Sequence, residues 1–247
     1  MAAELLVLQH VDREGPDRIA HWATERGLSL RVIRPNQGEP LPDPVTQGPA
    51  LAVMLGGPMS VNDRNQTAFQ WLERELSWLQ QWIQQKRPVL GICLGAQLLC
   101  TAAGGQVKPL TSGNPPQPLK EVGFGAIQWH ASSSEVPWLA SIPQQQVVLH
   151  WHGDRCCLPK KAKILASSPH CQEQAFQLGA SAVGLQFHIE VTKPNLERWV
   201  TEDQEFILAA GLKPHQINDE ALEWDSELSS KGRFLLDALL DHLLSQV

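Results

Sequence analysis

Cys93 stands in a segment whose residue types could support nucleophilic catalysis. The sequence Gly91-Ile92-Cys93-Leu94-Gly95 joins a strand-like apolar run, Val89 to Ile92, to a helix-like apolar run, Ala96 to Ala103. The two glycines remove side chains that would clash in a strained strand-to-helix turn. A cysteine at a helix N-terminus is also more readily ionised to the thiolate. The pattern predicts a cysteine nucleophile, although a buried and inert thiol remains the alternative.

A cysteine nucleophile needs a base, and His188 is the best candidate among the nine histidines. It follows the apolar strand-like run Ala182 to Phe187, and Glu190 stands two positions later. Histidine can act as base and acid near neutral pH, and a carboxylate can hold the useful tautomer. A strand-terminal histidine beside a surface glutamate is the structural alternative.

A third segment, Gly56-Gly57-Pro58, follows the apolar run Ala50 to Leu55. Backbone N–H groups that no side chain covers can stabilise an oxyanion, and we predict Gly57 and Leu94 as the two donors. A Gly-Gly-Pro sequence alone is weak evidence, because such turns often only reverse the chain.

The elements needed to bring these segments together alternate along the chain. Glu4 to Gln9 and Leu28 to Ile33 read as strands around a helix, Asp17 to Arg26, and a second helix is predicted over Thr67 to Lys86. This order predicts an α/β fold with a mostly parallel central sheet and helices on both faces. In such folds ligands bind at the carboxyl ends of the strands, so the three segments should meet there.

The pattern of the remaining residues predicts short strands and helices in addition to this core. Residues from Gln106 to Val148 alternate between Pro-rich links and short segments, which indicates added short strands, and helices follow Pro194. We expect a single domain over residues 1–247, with a catalytic core over about 1–194 and a C-terminal helical extension over about 195–247.

Composition narrows the function classes for the 247-residue chain. No apolar run approaches the roughly 18 residues of a spanning helix, and no signal peptide is recognisable, so we expect a cytoplasmic protein without a membrane partner. The five cysteines have neither disulfide-scaffold nor zinc-ribbon spacing, which favours a reducing compartment. A formal charge of −6 argues against nucleic acid. No cofactor or metal is predicted.

Taken together, the motifs LGGPMSV at Leu55 to Val61, GICLGAQ at Gly91 to Gln97 and QFHIEVT at Gln186 to Thr192 resemble the class I glutamine amidotransferases. The resemblance is closest to the stand-alone branch similar to the amidotransferase domain of GMP synthase, and it implies a flavodoxin-like fold. It implies a catalytic triad, which falls on Cys93, His188 and Glu190. It also implies two oxyanion donors, Gly57 and Leu94, and a group that faces the substrate, namely Gln97, His152 and Asp154.

One position departs from the family pattern, and one further segment matches it. The family usually has proline between the triad histidine and glutamate, where this chain has Ile189, so the placement of Glu190 is less constrained by the sequence. The substrate-facing loop is matched by His150 to Asp154. Without the resemblance, His150 and His152 would be an alternating pair on a strand, with metal binding as the less favoured interpretation.

The resemblance implies hydrolysis of a γ-glutamyl amide through a thioester, with ammonia released from glutamine. The roughly 55 residues after Thr192 are too few for a synthetase domain, so ammonia would pass to a separate synthetase subunit. Two alternatives stay open: a stand-alone γ-glutamyl peptidase acting on a small conjugate, and a non-catalytic binding or regulatory subunit.

Overall fold

The computed structural model describes residues 3–45, 48–132 and 134–247. The Pro-rich link predicted between Pro35 and Pro49 therefore lies partly outside the described residues, as do the first two residues of the chain. Within the described ranges, no helix is both long and apolar enough to cross a membrane.

Among the described residues, the core of the fold is a nine-stranded sheet with a parallel half and an antiparallel half. Its order is β2-β1-β3-β4-β13-β12-β11-β8-β9, and the five strands from β2 to β13 run parallel. Two small two-stranded sheets, β5 with β10 and β6 with β7, stand beside it. The strands are β1 Glu4–Leu8, β2 Ser29–Ile33, β3 Leu51–Met54, β4 Val89–Ile92, β5 Gln106–Pro109, β6 Thr111–Ser112, β7 Gln117–Pro118, β8 Glu121–Trp129, β9 Gln145–His152, β10 Asp154–Cys157, β11 Lys163–Ser167, β12 Ala175–Leu178 and β13 Ala182–Leu185.

Helices cover both faces of the sheet, as the alternating pattern predicted. Along β1, Leu5 and Val7 join one apolar cluster and Leu6 and Leu8 join the other, because successive side chains of a strand point to opposite faces. The α-helices are α1 Asp17–Glu25, α2 Trp71–Gln84, α3 Leu94–Ala102, α4 Lys193–Glu202, α5 Gln204–Ala209, α6 Pro214–Glu227 and α7 Arg233–Leu244. The predicted α/β class is confirmed.

The two apolar clusters show which helices pack on each face of the sheet. Helices α2 and α3 pack on one face, and α1 and α7 pack on the other. A π-helical turn over Leu228–Gly232 joins α6 to α7.

Two sequence expectations differ from the structure. The helix predicted over Thr67 to Lys86 is divided, because a 3-10 turn over Thr67–Phe69 precedes α2. The added strands are also not merely short decorations. Strands β8 and β9 have nine and eight residues and extend the main sheet, since they pair along almost their whole length.

Candidate active site

Cys93 occupies the strained turn that its flanking glycines predict. It lies between the end of β4 and the start of α3 with φ +52° and ψ −106°, which is unusual for a residue with a side chain. A Cβ at position 91 would collide with the backbone of Gly95, and one at position 95 with the backbone of Met54. Only glycine fits at either place, and the turn presents the thiol at the carboxyl edge of the parallel strands.

His188 and Glu190 lie beside Cys93. The His188 backbone N–H donates to Leu149 O at 2.8 Å, which ties the segment after β13 to β9. The Nδ1 atom of His188 is 2.6 Å from Glu190 Oε1, and the imidazole also interacts with the side chain of Cys93. Burial alone would lower the pKa of His188, but the Glu190 carboxylate and Cys93 outweigh burial and raise the pKa well above its usual range. The imidazole therefore holds its proton tightly between a carboxylate and a sulfur.

Ile189 contributes a backbone donor at the position where the family usually has proline. Its N–H donates to Glu190 Oε2 at 3.0 Å, while Oε1 faces the histidine. Proline has no N–H and could not form this bond. The Ile189 side chain is fully buried in the core. Thus the backbone and the core hold Glu190 in the place that the sequence alone left less constrained.

The turn after β3 brings Gly56 and Gly57 against the nucleophile. A Cβ added to Gly56 would lie 3.1 Å from His188 Cε1 and 3.5 Å from Cys93 Cβ, and it would collide with Glu14. A Cβ on Gly57 would lie 3.1 Å from the Leu94 side chain. The first N–H groups of a helix have no partner within the helix, so the N–H of Leu94 at the start of α3 is available to a ligand.

The peptide group between Gly56 and Gly57 is held from behind by a buried histidine. His10 Nδ1 lies 3.0 Å from Gly56 O, and His10 Nε2 lies 2.9 Å from Glu75 Oε1 on α2. In a trans peptide the C=O and the following N–H point in opposite directions. Because the Gly56 carbonyl points at His10, the Gly57 N–H points away from His10.

Both partners of His10 are acceptors when Glu75 is ionised, so the ring must then carry both protons. Burial would lower the pKa of His10, but the charge of Glu75 and the bonds to Glu75 and to the Gly56 carbonyl raise it overall. A buried ion pair of histidine and glutamate thus stands directly behind this turn.

A cavity of about 340 Å³ opens over Cys93. Most of the residues predicted for the site line this cavity. Cys93, Gly57, Gln97, His152 and Asp154 all line it, whereas His188, Glu190 and Leu94 lie outside its lining. The structure therefore brings the predicted residues together, with the histidine and glutamate buried behind the thiol.

The three substrate-facing candidates differ in their surroundings. Gln97 is buried, and its Oε1 has no hydrogen-bond partner among the described residues, so it is able to accept from a ligand. Asp154 Oδ2 accepts from the Ser60 hydroxyl at 2.8 Å. His152 Nε2 lies 3.1 Å from Glu121 Oε2. The segment predicted as a substrate-facing loop is instead the end of β9 and the start of β10, joined at Gly153.

Sequence reasoning missed several residues that line this cavity. Arg13 and Glu14 follow β1, and Asp203 and Phe206 lie at the end of α4 and in α5. Burial raises the pKa of Glu14, and the charge of His188 opposes that rise. The signal for Glu14 was present in the sequence, because β1 is a parallel strand and its carboxyl end opens on the same edge.

The C-terminal segment offered no comparable signal. Asp203 Oδ2 accepts from the Trp151 indole N–H at 2.8 Å and lies 3.1 Å from an Arg13 guanidinium nitrogen. These contacts bring residues beyond position 194 into the wall of the cavity, although the sequence placed the extension outside the catalytic core.

Comparison with known proteins adds an independent finding. Residues 16–204 match the family model described as glutamine amidotransferase class-I. The glutamine amidotransferase-like protein YfeJ of Salmonella typhimurium is 30% identical over 237 residues, which cover 94% of this chain and 96% of YfeJ. The GMP synthase [glutamine-hydrolyzing] of Cytophaga hutchinsonii is 29% identical over 65% of this chain, but the match spans only 28% of that enzyme.

Solved structures agree with this likeness. A glutamine amidotransferase from Thermotoga maritima superimposes with a TM-score of 0.84 at 26% identity, covering 99% of both chains. A second, from Methylobacillus flagellatus, gives 0.83 at 24% identity over 100% of this chain and 96% of the other. At that identity the second likeness concerns the fold alone.

Proposed function

We propose that this chain, which belongs to the class I glutamine amidotransferase family, hydrolyses the side-chain amide of glutamine with Cys93 as nucleophile. The observation that carries the proposal is that the His188 ring lies next to Cys93 and has its Nδ1 atom 2.6 Å from Glu190 Oε1. A nucleophile, a base and an orienting carboxylate in this order form a working triad.

In the first step the Cys93 thiolate attacks the amide carbon of glutamine. The C–N bond breaks after His188 gives its proton to the nitrogen, so ammonia leaves and a γ-glutamyl thioester remains. In the second step His188 takes a proton from water, the resulting hydroxide equivalent attacks the thioester, and the C–S bond breaks to release glutamate. The Cys93 thiolate and the protonated His188 are restored, and the γ-carboxylic acid of glutamate and the ammonia then exchange a proton with water, so atoms and charges balance over the cycle.

The negative oxygen formed in each step needs two donors. We assign these to the backbone N–H groups of Gly57 and Leu94, which come from the turn after β3 and from the start of α3. The buried His10 that binds Gly56 O supports this assignment, since it turns the Gly57 N–H away from itself.

The cavity suits a small substrate that carries both charges. Its walls present Arg13 and Lys120 together with Glu14, Asp154 and Asp203. The α-ammonium and α-carboxylate of a γ-glutamyl group can each be paired by groups of opposite charge. We therefore assign glutamine, or a small γ-glutamyl compound, to this cavity and propose Gln97, His152 and Asp154 as its contacts.

The fate of the ammonia is a separate question. The relatives that are GMP synthases extend far beyond the matched part, which supports delivery of the ammonia to a synthetase active site. An enzyme acting alone on γ-glutamyl peptides would use the same triad.

Replacement of the nucleophile tests the proposal. The purified chain is assayed with glutamine and with γ-glutamyl peptides, with and without candidate synthetases, and release of ammonia, glutamate and free amine is measured. We expect Cys93→Ala to abolish turnover, because the nucleophile and base act as a unit. Cys157→Ala removes a half-buried thiol outside the cavity, and this variant should retain turnover. Full activity in Cys93→Ala would disprove the assignment, and cleavage of peptides alone would favour the peptidase.

A further inference from the structure

A second group of chemically active side chains adjoins the active-site cavity and shares His152 with its lining. Glu121 on β8 and His150 and His152 on β9 form what we call the β8–β9 cluster. In the antiparallel register Glu121 pairs with His152 and Gly123 with His150, so the three side chains lie on one face of the sheet. Their relative exposures are 8%, 4% and 2%.

The potential ligand atoms of this cluster are close together. One ring nitrogen from each histidine and one Glu121 oxygen all lie within 4.8 Å of one another. The shortest separation is 3.1 Å, between His152 Nε2 and Glu121 Oε2. Ligand atoms at about 2.1 Å from one cation can be at most about 4.2 Å apart. Small side-chain rotations would therefore bring all three onto a single ion.

Hydrogen bonds set the tautomer of each histidine. The Nδ1 atom of His152 lies 3.0 Å from the carbonyl of Asp154, so it must carry the proton, and a neutral ring then leaves a lone pair on Nε2 towards Glu121. The Nε2 edge of the His150 ring faces the backbone of Gly125, which can hold a proton on Nε2. This leaves a lone pair on Nδ1.

The Nδ1 atom of His150 has no hydrogen-bond partner among the described residues, although the side chain is 4% exposed. A buried polar atom without a partner is costly, and such atoms point to a missing ligand. A histidine that donates one N–H to a backbone carbonyl and presents its other nitrogen is typical of metal ligands.

The carboxylate of Glu121 is also oriented from outside. Ser168 donates to Oε1 and the Gln174 amide donates to Oε2, each at 2.6 Å, and the Gln174 nitrogen lies 3.3 Å from His152 Nε2. The Gln174 amide therefore lies next to the lone pair on His152 Nε2. With a cation bound to Nε2, this amide would still donate to Glu121.

From this geometry we propose that Glu121, His150 and His152 bind a divalent first-row transition cation of the Zn²⁺ type. Two imidazoles and one carboxylate are a ligand set for such ions, which leave a fourth position to water. A cavity of about 280 Å³, lined by Glu121 and His150, provides a path to the site.

The ion would stabilise the pairing of β8 with β9 next to the nucleophile. Trp151 lies between the two histidines, and its carbonyl is 3.7 Å from Cys93 Sγ. The proposed ion does not take part in amide hydrolysis. The site shares His152 with the substrate cavity, and binding of the ion can be measured whether or not the chain hydrolyses glutamine.

The test uses the full chain carrying Cys93→Ala, so that the active-site thiol cannot capture the probe. Metal-free protein is titrated with Zn²⁺. The stoichiometry is measured by elemental analysis and the melting temperature by differential scanning calorimetry. We expect one ion per chain and a melting temperature that rises with Zn²⁺. Co²⁺ should give a spectrum without the charge-transfer band of a thiolate ligand.

Single replacements in the same background locate the ion. We expect Glu121→Gln and His150→Ala to weaken Zn²⁺ binding at least about 100-fold, since loss of an outer partner alone costs about 10–100-fold. His21→Ala, an exposed histidine on α1, should bind as tightly as the parent. Absence of stoichiometric binding, a thiolate band, or unchanged affinity in the two cluster variants would overturn the proposal. The Co²⁺ spectrum of the parent decides the ligand type even where a cluster variant does not fold.

Discussion

Glu190 is held by two contacts of different origin. One of its oxygens faces His188, and the other accepts the N–H of Ile189. The second contact depends on a backbone group, so it does not depend on the identity of the side chain at position 189 unless that residue is proline. At the scale of the residue, the orientation of the base is therefore a property of the backbone as much as of the motif.

Removing the charge of Glu190 should change both the rate and its pH dependence. The carboxylate raises the pKa of His188. We expect Glu190→Gln to lower kcat by on the order of 10⁴-fold, as the equivalent change does in the serine-protease triad. The alkaline limb of kcat/KM should move to lower pH, because His188 then loses its proton more easily.

Steady-state glutaminase assays across pH provide the measurement. Glu197→Gln, an exposed glutamate on α4, serves as the matched control and should leave the profile unchanged. An alkaline limb that stays in place in Glu190→Gln would show that the carboxylate does not act on His188.

At the scale of the element, three parts of the chain meet at the turn after β3. His10 follows β1, Glu75 lies on α2, and the carbonyl of Gly56 lies between them and the nucleophile. The orientation of one peptide group thus depends on a contact between His10 and Glu75, which are 65 positions apart in the chain.

The two members of this pair should be separable by mutation. In Glu75→Gln, neutral His10 can still donate from Nδ1 to Gly56 O and accept at Nε2 from the new amide. In His10→Phe the donor to Gly56 is lost. We expect kcat to fall at least about 10-fold more in His10→Phe than in Glu75→Gln, because only the former frees the peptide to rotate away from an oxyanion-binding orientation. Equal losses would contradict a role in orienting the peptide.

Stability should also report the ion pair as a function of pH. The pKa of His10 is raised above 6.5 in the folded state, so its contribution to stability is complete below that pH and is lost as pH rises through the raised pKa. The free energy of unfolding of the wild type relative to Glu75→Gln should therefore be largest below about pH 6.5 and decrease as the pH rises through the raised pKa of His10. Urea unfolding over a series of pH values measures this difference, and a difference independent of pH would exclude a charged His10.

At the scale of the whole molecule, the C-terminal helices are joined to the sheet and to the site. Leu235, Leu236, Leu239, Leu240 and Leu243 of α7 are fully buried in the same apolar cluster as α1 and the sheet. Asp241 on α7 accepts from the Trp22 indole at 3.0 Å and pairs with Arg26. We therefore propose that residues 1–247 fold as one unit.

Truncating one leucine of α7 tests that proposal. We expect Leu239→Ala to reduce the free energy of unfolding by about 2–5 kcal/mol, because it leaves a cavity in the shared core. Leu222→Ala on α6, where the side chain is 73% exposed, should change it by no more than about 0.5 kcal/mol. Unfolding followed by fluorescence and by circular dichroism should give one coincident transition. Two separate transitions would mean that the extension folds independently.

Sequence by itself determined the fold class and the segments that carry the proposed chemistry. Periodicity distinguishes strands from helices, and the carboxyl ends of parallel strands share an edge, so Cys93, Gly57 and His188 could be assigned to one site. The glycines at 91 and 95 were also readable, because the turn leaves no room for a Cβ there.

Only the tertiary structure decided which distant groups complete the site. The pair His10 and Glu75, and Asp203, carry no local pattern, since their roles depend on contacts between segments far apart in the chain. The meeting of Glu121 with the two histidines depends on the register of β8 against β9, and a shift of one residue would turn those side chains to the other face. Spacing along the chain describes one element at a time, whereas packing selects the neighbours that fix an orientation, a charge or a cavity.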